Sequence, residues 1–165
     1  MGILSGLQKD EPLHYGEVFT IWTTVAGNNG VIAGLQTFIN HCGDEDLQKI
    51  LADMIQTMQN ENKQLETILK VNGIGLPIAP PERPHAKREE IPVGARFNDP
   101  EISAAASLDI AASLVAFSKA MGMCSREDLA MLYGQFHLNR AQLGAKLLRL
   151  NKEKGWLILP PLHIH

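Results

Sequence analysis

The chain has 165 residues, is 45% hydrophobic, and balances 15 basic against 18 acidic side chains for a formal net charge of −3. That length suits one domain with one sizeable core, here residues 1–165, and the charge balance makes nucleic acid a poor partner. Residues 1–11 hold Lys9, Asp10 and Glu11 without a long apolar run, and nowhere do eighteen apolar residues follow one another. Neither a secretory signal nor a membrane span is expected.

From about residue 17 to 42, apolar residues recur at Val18, Ile21, Trp22, Val25, Ile32 and Ile39 with the spacing of an amphipathic helix. Gly27, Gly30 and Gly34 interrupt it, each costing up to about 1 kcal/mol against alanine in a helix interior. We expect close helix packing or a local kink there. Gly43 and Asp44 supply a C-terminal glycine followed directly by an N-cap, so a second helix over 45–72 should fold back as an antiparallel hairpin. Leu47, Leu51, Met54, Met58, Leu65 and Leu69 form its apolar stripe. Residues 74–98 then carry Pro77, Pro80, Pro81, Pro84 and Pro92 without periodicity. Such an extended segment can span roughly 80 Å, enough to cross the length of a bundle.

Asp99 and Pro100 open a third helix over 100–121 as N-cap and first residue. Its body is apolar nearly all round, with Asp109 and Lys119 the internal charges. A second buried face is therefore implied, with Leu108 and Val115 lying either under the crossover or in a homodimer interface. Ser125 is the expected N-cap of a fourth helix over 126–154, and residues 155–165 form an extended tail. Two hairpins joined by one long crossover is the topology of a ferritin-like four-helix bundle, so the fold class is all-α.

Four polar residues fall on the apolar stripes at similar depth: Asn29, Glu61, Asp109 and Arg140. Metal-binding bundles place carboxylates and a Glu-x-x-His on these helices. Here the second helix reads Glu61-Asn62-Lys63-Gln64, and Gly134 stands where His137 would need a glutamate. Arg140 is a fixed cation, so the expectation is a structural ion cluster in which it neutralises Glu61 and Asp109, with no cofactor and no catalytic residue. The weak metal candidates are Glu61, Asp109 and His137, with His163 and His165, two ligands on one side of an extended tail and short of a tetrahedral set. His41 suits the C-terminal dipole of the first helix, and His137 suits packing. Cys42 and Cys124 are far apart and without a CxxC motif, so neither a disulfide framework nor a zinc site is expected. No phosphate-binding loop or Ser/His/Asp spacing supports a nucleotide or hydrolase function.

Gly134-Gln135-Phe136-His137, the run from Leu147 to Trp156 and Pro160-Pro161 resemble the end of the domain-of-unknown-function 3231 family of spore-forming bacilli. Gly75-Leu76-Pro77 and the run from Ala95 to Pro100 resemble its inter-hairpin segment. The resemblance covers essentially the whole chain and implies a ferritin-like fold without an established activity. Some members carry a provisional spore-coat designation through likeness to coat F proteins, from which this chain departs in its long proline-rich crossover. The expected function is thus a non-catalytic structural or interaction protein associated with the cytoplasm of the sporulating cell or with the spore, whose partners are a second copy or coat components. The alternatives are a metal-binding protein or oxidoreductase using Glu61, Asp109 and His137, and a small-ligand carrier with the polar layer at the base of an apolar cavity.

Overall fold

A computed structural model describes residues 11–163. The four helices are α1 (Tyr15–His41), α2 (Glu45–Val71), α3 (Asp99–Met123) and α4 (Glu127–Glu153), with no strand among the described residues. The expected signal-free N-terminus and His165 lie outside them.

α1 pairs with α2 and α3 with α4 as hairpins, and the hairpins meet through α2 against α4 and α1 against α3. Polar contacts give the direction of each helix. The Gly43 N–H donates to Asp99 Oδ1 at 2.7 Å, putting the start of α3 beside the α1–α2 turn. Lys154 reaches Asp44 at 2.7 Å and Asp46 at 3.3 Å, bringing the end of α4 to the same pole. The order is therefore up, down, down, up, and the crossover must return along the full bundle.

It does so against α1. The Trp22 indole donates to the Gly75 carbonyl at 3.0 Å, Gln36 accepts from the Arg83 N–H, and the Asn40 amide holds both the Pro84 carbonyl and the Ala86 N–H at 3.0 Å. Phe97 packs edge-on to Phe38 at 5.3 Å and donates its N–H to His41 Nδ1. His41 thus serves the crossover as well as the end of α1. Two single 3₁₀ turns, Arg88–Glu90 and Val93–Ala95, break the extended segment expected over residues 74–98. Because the crossover follows α1, it leaves the outer face of α3 bare: Leu108 is 73% and Val115 71% exposed.

Helix ends follow local chemistry, with instructive departures. Gly73 and Gly155 adopt φ of +69° and +72°, and the paired bonds Ile74 N–H to Leu69 O and Trp156 N–H to Asn151 O, both 2.9 Å, close α2 and α4 as Schellman motifs. Gly43 keeps a negative φ; a Cβ there would press on the Arg88 guanidinium at 3.3 Å, so it is required for close approach and not for a left-handed turn. Asn98, one residue earlier than expected, caps α3 in a reciprocal box with Glu101. Ser125 does not cap α4. Its place before α4 is instead fixed by the carboxylate of Glu17, in the first turn of α1, which accepts from the Ser125 N–H, the Ser125 hydroxyl and the Arg126 N–H at 2.9–3.1 Å and so anchors the α3–α4 turn just ahead of the first helical residue. Burial works to raise the Glu17 carboxyl, but hydrogen bonds from Arg126, His14 and Ser125 outweigh it and hold the group below its ordinary value.

Among the described residues nothing packs on Gly27, Gly30 or Gly34: a Cβ at any of them would find no neighbour within 4 Å. The expected close approach is absent among the described residues. The stretch Val93–Met123 is also long and apolar enough to cross a membrane by length and composition, although it lacks an unbroken apolar run; only 28% of its most apolar window is buried in the bundle.

Candidate functional site

The core is two apolar clusters with a polar layer between them. One cluster joins Leu35, Leu51, Met58, Ile102, Ile110 and Leu147, and the other joins Ile21, Val25, Leu65, Phe117, Tyr133 and Phe136. On α2, Glu61 sits between Met58 of the first and Leu65 of the second; on α4, Arg140 sits between Phe136 and Leu143.

Arg140 is fully buried, and its Nη2 donates to Glu61 Oε2 at 2.7 Å and to Asn28 Oδ1 at 3.4 Å. Its guanidinium carbon stands 5.7 Å from the centre of the Phe117 ring, a cation–π contact from the third helix. The layer continues outward through amides. Asn28 Nδ2 donates to Glu61 at 3.3 Å and to Asn62 Oδ1 at 2.9 Å, and Asn62 Nδ2 donates to Asn29 Oδ1 at 2.8 Å.

Of the four residues read from the apolar stripes, Glu61 and Arg140 meet directly. Asn29 does not reach them: it is the half-buried outer end of the amide chain, and its neighbour Asn28 takes the inner position. The true seam of α1 runs through Ile21, Val25, Asn28 and Leu35, about 45° round from a stripe drawn through Val18 and Ile32, enough to exchange Asn29 for Asn28. Asp109 is half-buried, with no salt bridge to Arg140 within 4.0 Å. It acts on the layer through its field. Asn28 and Asn62 were missed as site residues, although their 34-residue separation across a tight hairpin places them level.

Burial dominates the electrostatics. It pushes the Glu61 carboxyl up to about 7 against the opposing pull of the Arg140 guanidinium and the Asn28 hydrogen bond, and it raises Asp109, again with Arg140 pulling back. The same burial pulls Arg140 below its ordinary value, with Glu61 and Asp109 resisting. Glu61 Oε1, Asp109 Oδ2 and Arg140 Nε and Nη1 are buried without a protein hydrogen-bond partner. A proton can thus be exchanged at Glu61 near neutrality, while the arginine remains the layer's cation.

Among the described residues no three His, Cys, Asp or Glu side chains converge where a metal could sit. Glu61, Asp109 and the half-buried His137 therefore form no ligand set, and His163 lies in the exposed tail. The layer is flanked by open grooves. One, between α2 and α4, has a volume of about 310 Å³ and is lined by Gln56, Asn60, Glu61, Gln142 and Lys146. The other, between α1 and α3, is about 270 Å³, with Gly27, Asn28, Asp109, Ala112 and Ala116 on its walls. Cys42 is buried and its thiol pushed up to about 12 by burial, so it is a poor nucleophile.

Comparison with known proteins places this architecture. The chain is similar to the YvdQ protein of Bacillus subtilis strain 168, with 54% identity over 164 residues covering 99% of this chain and 96% of that one. It is also similar to a crystallised Bacillus halodurans C-125 protein provisionally identified as a spore coat protein, with 58% identity, a TM-score of 0.93, and coverage of 94% of this chain and 98% of that one. A conserved hypothetical protein of Mycobacterium tuberculosis shares the fold at 12% identity, with a TM-score of 0.67 over 84% of this chain and 99% of that chain. The profile of the family described as "Protein of unknown function (DUF3231)" matches residues 1–165, and the chain belongs to that family.

Proposed function

We propose that this protein is a non-catalytic structural or interaction component of the spore coat or of the sporulating cell, recognising other proteins through its surface. The observation that carries the non-catalytic part is Arg140. At mid-bundle, where related helical folds gather carboxylates around metal ions, a guanidinium is bonded to Glu61 at 2.7 Å and supplies the counter-charge. The spore association rests on the 58% identity to the Bacillus halodurans protein and its provisional spore-coat identification.

Two measurements test the parts separately. A fluorescent fusion followed through sporulation of a Bacillus host is expected to gather at the forespore surface and remain with purified spores; signal that stays diffuse and is absent from spores would remove the coat assignment. Elemental analysis of untagged protein after exposure to Fe²⁺, Mn²⁺ and Zn²⁺ is expected to find no stoichiometric metal. Stoichiometric metal in the wild type would instead establish a metal-binding protein.

A further inference from the structure

The bundle has a wet flank and a dry one. The outer faces of α2 and α4 carry exposed charges such as Asp53, Lys63, Lys146 and Arg149. By contrast, α1 has no Asp, Glu, Lys or Arg from Val18 to Asn40, and α3 has only Asp109 between Ile102 and Ser118. These two helices are neighbours, so their bare faces join into one surface. Leu108 and Val115 project from it on α3, and Phe19, 69% exposed, projects from α1. Gly27, Gly30 and Gly34 lie on the same side of α1.

Three glycines within one helix are unfavourable, and nothing among the described residues uses the space they leave. The crossover does not cover them, because its anchors Trp22, Gln36 and Asn40 fall on a different face of α1. We propose that this flank is the interface of a two-fold homodimer, in which the glycines of one copy receive the projecting side chains of the other. This rests on the chain's own surface and not on the spore assignment.

The register supports a second copy in particular. α1 and α3 are antiparallel, with Gly43 bonded to Asp99 at one pole and Ser125, just past α3, bonded to Glu17 at the other, and Gly27, Asn28 and Val31 share a groove with Asp109, Ala112 and Ala116 in between. Leu108 is then level with residues 30–34 of α1, and Val115 with residues 23–27. A two-fold axis parallel to the helices would lay α3 of each copy on α1 of the other at unchanged height. Leu108 would enter between Gly30 and Gly34 of the partner subunit, and Val115 beside Gly27 of the partner subunit.

The size is also sufficient. A helix of about 25 residues is ~37 Å long, and two helices ~9 Å apart present a face ~18 Å wide. The flank is then roughly 650 Å² per copy, or about 1,300 Å² in total, within the range that stable complexes bury. A membrane surface is the less favoured occupant. Membrane-surface helices flank their apolar face with several Lys and Arg, whereas this face offers Lys119 alone, and fluid acyl chains have no use for matched holes.

The test is light scattering coupled to gel filtration on the full chain over a wide concentration range, with two variants. The wild type is expected at twice the mass of one chain. Leu108→Glu with Val115→Glu should give a helical monomer, weakening association by at least about 100-fold, because both side chains are exposed in the monomer and dispensable to its core. Gly27→Ala, Gly30→Ala and Gly34→Ala together separate the readings by sign. As monomer chemistry the triple change only raises the melting temperature, whereas as holes it fills the interface and weakens association. A wild type that stays monomeric at every concentration would overturn the proposal, as would a dimer that survives both variants. Binding of the wild type to phosphatidylglycerol-containing vesicles without self-association would assign the flank to lipid instead.

Discussion

Replacing Arg140 by methionine tests the central layer most directly, because it removes the charge while keeping an apolar side chain of similar reach. The guanidinium is fully buried and bonded at 2.7 Å to a carboxyl that is itself 1% exposed. Where Glu61 is ionised, above about pH 7, removing its partner strands a buried charge and costs about 3–5 kcal/mol. With a urea slope of about 2 kcal/mol per molar, the midpoint should fall by roughly 2 M, and the melting temperature by about 10 °C. Part of this loss must depend on pH. Below about 7 both proteins hold Glu61 protonated, and above it only the wild type can accommodate the anion. Each further pH unit should therefore widen the gap by about 1.4 kcal/mol. Urea unfolding followed by circular dichroism at pH 6 and pH 8, at one protein concentration, measures both quantities. Adding Glu61→Gln should recover most of the loss, since no charge is then stranded. A penalty under about 1 kcal/mol would refute the idea that Arg140 is the buried counter-charge. A large penalty that is flat with pH and unrescued by glutamine would assign its role to packing.

Other expectations are independent of this one. Glu61 is raised in the folded state, so its favourable contribution is present below the ordinary value of 4.5 and is lost as pH rises through about 7; wild-type stability should drop by about 3 kcal/mol between pH 5 and pH 8, and Glu61→Gln should flatten that slope in thermal melts. Glu17 is shifted the opposite way, so its contribution is present above the ordinary value and lost on acidification. Glu17→Ala should cost about 1–3 kcal/mol by leaving the Ser125 and Arg126 N–H groups without their acceptor, with hydrogen exchange accelerating at residues 125 and 126; unchanged exchange there would show that the carboxylate does not hold that turn. Gly73→Ala places a Cβ at φ of +69° and should destabilise by about 1 kcal/mol, whereas Gly75→Ala, in open space at ordinary φ, should stay within about 0.5 kcal/mol.

The helices were legible because their signals are local: periodic apolar residues, proline density, and the glycines that end α2 and α4. What failed depended on a partner distant in sequence. Ser125 has the right chemistry for an N-cap, yet its hydroxyl and N–H are both taken by a carboxylate 108 residues earlier. Gly43 reads as a helix stop, yet its small size is needed by Arg88 of the crossover and Asp99 at the start of α3. Asn28 and Asn29 differ by one residue in sequence and by 100° on the helix, and the glycines beside them blur the periodicity that would choose between them. The pairing of Glu61 with Arg140 was readable because a buried charge needs a counter-charge. The partial withdrawal of Asp109 was not, because it depends on how closely α1 and α3 approach.

The polar layer also has a bearing on how the chain finds its fold. Each hairpin is built from contacts near in sequence and can form early, and docking the two requires closing the long crossover loop between them. The apolar residues of the first cluster are largely interchangeable leucines, methionines and isoleucines that would tolerate a slipped alignment. Arg140 and Glu61 would not, since a slip of one heptad moves them about 10 Å apart and leaves two bare charges in hydrocarbon. One ion pair in the middle of a greasy seam thus acts as an alignment key, rejecting the misdocked assemblies that hydrophobicity alone would accept.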